Sequence, residues 1–106
     1  MSEYNPDKWA ILKVNLGGKS PEQYRVIGSW YGGYLGSDSW RMNSGITKVV
    51  DEDDGFFSIH GVSGSIYNVH KNNEGMSSFT AGVIRTWQSQ DSDVSIEPIP
   101  FREMKL

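Results

Sequence analysis

Lys8-Trp9-Ala10-Ile11-Leu12-Lys13-Val14 is the stretch from which the fold is read. In an extended chain Ala10, Leu12 and Val14 face one side, and Trp9 and Ile11 face the other. Apolar groups on both faces predict a strand that is covered from both sides. Upstream, residues 1–7 read as a short arm punctuated by Pro6 and Asp7. Downstream, Gly17-Gly18 and Ser20-Pro21 mark a loop. Gln23 to Tyr31 then reads as a second strand, and the short connection makes it an antiparallel neighbour of the first.

Turn signals divide the remainder of the chain into further strands. Trp40-Arg41-Met42 leads into Asn43-Ser44-Gly45, a turn or bulge, and Ile46 to Val50 reads as the third strand. Asp51-Glu52-Asp53-Asp54-Gly55 is a hairpin loop, with Asp54-Gly55 its strongest signal. Phe56 to His60 and Ser65 to His70 are strands separated by the turn Gly61–Gly64. The period then changes. Ser77 or Ser78 caps a helix running to about Gln90, with Phe79, Val83, Ile84 and Trp87 on one face. Gly82 inside that helix predicts that another element packs close. Val94-Ser95-Ile96 is a last short strand that Pro98 and Pro100 stop, and residues 101–106 are expected to be a loose tail.

The expected fold is α+β: a curled antiparallel sheet or half-open barrel of about five to six strands, with one C-terminal helix over a face or an open end. Glycines within the strand regions (Gly28, Gly45, Gly64) are expected to bend the sheet. Residues 1–106 are expected to form a single domain, because 106 residues are too few for two ordinary ones. Hydrophobic residues make up 37% of the chain and aromatics 12%. A mean hydropathy of −0.49 is polar, so large aromatics have to supply the core volume.

The absence of cysteine excludes disulfides and thiolate metal sites. A net charge of −3 argues against a general nucleic-acid binder, which carries a basic face. No apolar run approaches the ~20 residues of a membrane span. Met1-Ser2-Glu3-Tyr4-Asn5-Pro6 lacks the basic and apolar regions of a signal peptide. A cytoplasmic protein with no membrane partner is expected.

Catalytic and cofactor signatures do not complete themselves. The acidic run Asp51–Asp54 lacks the alternating ligands and distal glutamate of a calcium loop, and reads as a solvated hairpin tip. Gly17-Gly18-Lys19-Ser20 carries Gly-Lys-Ser, but Lys13 stands where a phosphate loop needs its first glycine, and Pro21 leads into a strand. Gly28–Gly33 lacks a following helix to receive a pyrophosphate. His60 and His70 end strands expected to be adjacent, and either could carry a proton with Asp38 in a small hydrolase or lyase. No cofactor, metal or catalytic residue is assigned.

The remaining feature is Gly28-Ser29-Trp30-Tyr31-Gly32-Gly33-Tyr34-Leu35-Gly36-Ser37-Asp38-Ser39-Trp40-Arg41. Tyrosine, tryptophan and arginine supply much of the binding energy at interfaces, and glycine and serine supply adaptable hydrogen bonds. Trp30 and Trp40 suit a core; Tyr31, Tyr34, Asp38 and Arg41 suit contact with a partner. A protein partner is expected. The alternative is a nucleotide or single-stranded nucleic acid stacked on these aromatics beside Lys13, Lys19, Arg25, Arg41 or Lys48. A homodimer is compatible with so small a module.

Residues 26–34 (Val-Ile-Gly-Ser-Trp-Tyr-Gly-Gly-Tyr), 38–46 (Asp-Ser-Trp-Arg-Met-Asn-Ser-Gly-Ile) and 63–71 (Ser-Gly-Ser-Ile-Tyr-Asn-Val-His-Lys) resemble a group of small uncharacterised phage and prophage proteins. The resemblance extends over about residues 8–90. It implies an accessory protein acting in an infected bacterial cell, where such proteins bind a host factor, either a protein or a nucleotide signal. It carries over no catalytic residue.

Overall fold

A computed structural model of the chain describes residues 3–15, 17, 22–31, 39–90 and 95–105. They form strands β1 (Glu3–Tyr4), β2 (Lys8–Asn15), β3 (Gln23–Trp30), β4 (Ser39–Met42), β5 (Ile46–Asp51), β6 (Phe56–Gly61) and β7 (Ile66–His70), then helix α1 (Ser78–Gln90) and strand β8 (Ser95–Ile99). The chain is α+β, and its named strands pair antiparallel except that β1 runs parallel to β7.

The expected curled sheet or half-open barrel of five to six strands is corrected. Two separate four-stranded sheets form instead, in the orders β1-β7-β6-β5 and β4-β3-β2-β8. The reason lies at Asn43, where the chain leaves one sheet for the other. Asn43 donates its backbone N–H to Val26 O at 3.0 Å, while its side-chain Oδ1 accepts the Val26 N–H at 2.9 Å. The side chain thus replaces the next strand carbonyl, and the backbone is free to turn away. Asn43 Nδ2 donates to Gly45 O at 3.3 Å, and Gly45 takes a φ of +140°, which disfavours any side chain. Two residues therefore divide what would otherwise be one meander.

Strand β2 is the central element, as its two apolar faces predict. Trp9 and Ile11 meet Val26, Ile59, Tyr67 and Val69 between the sheets. Ala10, Leu12 and Val14 join Ile27 and Ile84 under the helix, with Met42, Met76, Trp87 and Ile96 at the margin. Burying each aliphatic side chain stabilises the fold by about 1.5–3 kcal/mol, so this doubly covered strand carries much of the core energy. Trp9 also links distant parts of the chain. Its Nε1–H donates to His70 O at 2.7 Å, and its carbonyl accepts the Gly75 N–H at 2.7 Å.

The ends of the chain are less loose than their sequence suggests. Glu3 and Tyr4 pair with Ile66 and Tyr67, and Pro6 is buried against Gly28. A Cβ on Gly28 would stand 2.8 Å from Pro6 Cβ, so this glycine serves close packing rather than a bend. At the other end Phe101 stacks on Phe57 with ring centroids 4.3 Å apart, and its N–H donates to Glu74 Oε2 at 2.6 Å. Residues 101–104 are docked, which corrects the expected loose tail. Strand β8 runs through Pro98, opposite Leu12, because a sheet edge tolerates the missing donor.

Helix α1 begins as predicted: Ser77 Oγ accepts the Thr80 N–H at 3.2 Å, the N-cap interaction. Its Gly82 corrects an expectation. Among the described residues a Cβ there would meet nothing within 4 Å, so none of the described elements packs close.

Candidate binding surface

Strand β4 places its residues alternately on the two faces of its sheet. Trp40 stands opposite Ser29 and Arg41 opposite Gly28. Trp40 lies on the helix side, where its ring meets Trp87 edge-on at 5.1 Å. Arg41 lies on the other side, its guanidinium carbon 4.6 Å from the centre of the Tyr4 ring. Tyr4 in turn lies 5.1 Å from Tyr67 and 6.4 Å from Trp30. An exposed cation thus rests on an aromatic column whose base, Tyr67, is 1% exposed. Burial pushes the Tyr67 phenol up to about 12, with the Arg41 charge opposing and Tyr4 adding to the shift.

The N-terminal arm fixes the neighbouring backbone. Trp30 Nε1–H donates to Asn5 O at 3.0 Å, and the Tyr31 N–H donates to Asp7 Oδ2 at 2.8 Å. Tyr31 is 45% exposed and Trp40 36%. Of the four residues expected to make contact, Tyr31 and Arg41 are exposed, and Tyr34 and Asp38 lie outside the described residues. Trp30 is half-buried, whereas Trp40 keeps more surface than a core residue would. The tryptophan at the centre of the core is Trp9. Sequence reasoning missed Tyr4, because its position depends on a parallel pairing across more than sixty residues.

Other candidate groups are dispersed. His60 pairs with Ile66 and His70 with Phe56, so the two histidines stand at opposite ends of the β6–β7 ladder, roughly 13 Å apart. His70 Nδ1 accepts the Asn72 N–H at 3.1 Å and caps a 3-10 turn, and its ring lies edge-on to Phe56 at 4.9 Å. The acidic hairpin closes on itself. Asp51 Oδ1 accepts the Asp53 N–H at 2.9 Å and pairs with Lys71 Nζ at 2.7 Å, which holds the Asp51 carboxyl below its ordinary range. Among the described residues no group of three His, Asp or Glu side chains is placed to hold a metal ion.

The basic residues considered for a nucleic-acid platform are also separated. Lys13 pairs with Glu22 at 3.1 Å, and Arg25 donates to Gln23 Oε1. Lys48 lies in the other sheet, and Lys19 is outside the described residues. Of those described, Arg41 is the one that rests on an aromatic ring, that of Tyr4. Three surface depressions of about 270, 370 and 430 Å³ lie elsewhere, at Tyr24 and Ile46, at Met76 and Pro98, and at Asn5 and Phe56.

No family model, curated protein or solved structure matches the chain. Among the described residues no helix is long and apolar enough to cross a membrane.

Proposed function

We propose that the chain is a non-enzymatic binding module that holds a partner protein through Tyr31 and Arg41, with Tyr34 and Asp38 contributing from the connecting stretch. The observation that carries this reading is the Arg41 guanidinium resting on Tyr4 while exposed. A long cationic side chain normally loses rotamer freedom when it binds. One already held on a ring has less to lose, and arginine beside tyrosine and tryptophan is the composition of binding hot spots. A host factor in the bacterial cytoplasm is the partner this reading takes from the phage resemblance.

A stacked nucleotide is the second reading, favoured by the exposed Tyr31 ring and the exposed Arg41 charge. The two separate in one experiment. Wild-type protein and a Tyr31→Ala, Arg41→Ala double variant are used as bait in bacterial lysate, with retained proteins and small molecules both identified by mass spectrometry. A protein retained by wild type and lost in the variant supports the first reading, and a nucleotide lost in the variant supports the second. Identical retention by both baits removes the surface from consideration.

A further inference from the structure

Strand β5 is the longest free sheet edge among the described residues that carries no proline. Strand β1 has two residues, β4 has four, and β8 contains Pro98. The regular part of β5 is short and well defined. The β5–β6 register shifts between Ile46 and Lys48, where Thr47 Oγ1 donates to His60 O at 3.2 Å. The ladder continues past Asp51, since the Glu52 N–H donates to Phe56 O at 3.1 Å, and then stops at Asp53 with a φ of +63°. The unbroken stretch is therefore Lys48-Val49-Val50-Asp51-Glu52, with Val50 at its midpoint.

The backbone direction comes from that ladder. Glu52 is bonded to β6, so alternation bonds Val50 and Lys48 to β6 as well. The amide and carbonyl groups of Val49 and Asp51 then point outward from the edge. Side chains alternate too. Lys48 and Val50 lie on the outer face, opposite His60 and Ser58, and the Glu52 carboxylate accepts the Ser58 hydroxyl at 2.8 Å on that same face. Val50 is 37% exposed, and Lys48 and Glu52 are exposed.

We infer that β5 pairs antiparallel with β5 of a second copy, about a two-fold axis through Val50. In this register Val50 of one copy meets Val50 of the other. Lys48 of each copy stands opposite Glu52 of the other, giving two symmetric ion pairs on the outer face. The outward backbone groups of Val49 find those of Asp51 in the other copy, so the hydrogen bonds close without rearrangement. A centre at Lys48 would set the two lysines against each other, and a centre at Val49 would leave Lys48 facing Val50. Charge complementarity selects the Val50 register. Lysine on a bare edge ordinarily discourages pairing, and here a glutamate four positions away answers it across the axis. The product is one continuous eight-stranded sheet that carries strand β1, with Tyr4, of each copy at its two far edges.

The test is sedimentation equilibrium of the full chain at low salt, at concentrations up to about 1 mM, which covers a weak edge-to-edge contact. Wild type is expected to dimerise. Lys48→Glu and Glu52→Lys are each expected to weaken the dimer about tenfold or more, since attraction becomes repulsion at both pairs. The double variant, which restores opposite charges, is expected to regain wild-type association. Circular dichroism shows whether each variant is folded, and the double variant separates lost pairing from lost folding. A wild-type chain that stays monomeric over the whole range overturns the proposal. So does a dimer that both single reversals leave unchanged, or a double variant that does not recover.

Discussion

The Asn43 side chain takes up the Val26 N–H at 2.9 Å at the point where the chain passes from one sheet to the other. Asn43 is 4% exposed, so neither partner has water to replace the other. Asn43→Ala should therefore leave a buried donor unsatisfied and cost about 1–3 kcal/mol. Urea unfolding measures it, with Ser44→Ala at the neighbouring exposed position as the control. Equal stability of Asn43→Ala and wild type would mean that the crossing does not depend on this side chain.

Gly28 and Pro6 form the second prediction. A methyl group at position 28 would press on the Pro6 ring, and overpacking of this kind costs about 1–3 kcal/mol. Gly28→Ala should lower the melting temperature, and Pro6→Gly should relieve part of the loss. A double-mutant cycle reads the coupling. Strictly additive effects would place the arm elsewhere.

Gly82 offers a change in the opposite direction. Among the described residues a Cβ there meets nothing within 4 Å, and alanine is favoured over glycine in a helix by about 1 kcal/mol. Gly82→Ala should raise the urea midpoint. A lowered midpoint would restore the packing partner that the sequence led one to expect.

Tyr67 makes stability fall at high pH. Its phenol is raised from 10.0 to about 12 in the folded chain. The neutral form is favoured by folding, so this contribution is fully present below pH 10 and is lost as pH rises from 10 towards 12. Absorbance titration should show one of the five tyrosines ionising late. Tyr67→Phe should remove that late step and flatten the loss of stability between pH 10 and 12.

Local features of the fold were legible in the sequence. The two faces of Lys8–Val14, the Asp54-Gly55 hairpin and the Ser77 cap each depend on neighbouring residues, and the structure has each of them. Features decided at long range were not legible. One buried amide at Asn43 separates two sheets from one, and the parallel pairing of Glu3 with Ile66 leaves no periodic trace in so short a segment. Pro98 looked like a strand stop because its edge position could not be read locally. At the candidate surface, residue type alone marked Tyr31 and Arg41. The Tyr4 ring beneath Arg41 could come only from the three-dimensional pairing.

The central claim is that the Tyr31–Arg41 surface holds a partner. Its most direct test is calorimetric titration of the partner recovered from lysate against wild type, Arg41→Ala and the exposed control Val62→Ala. The account predicts at least about a tenfold loss of affinity for Arg41→Ala, the size of an interface hot spot, and none for Val62→Ala. Equal affinity of all three proteins would contradict it.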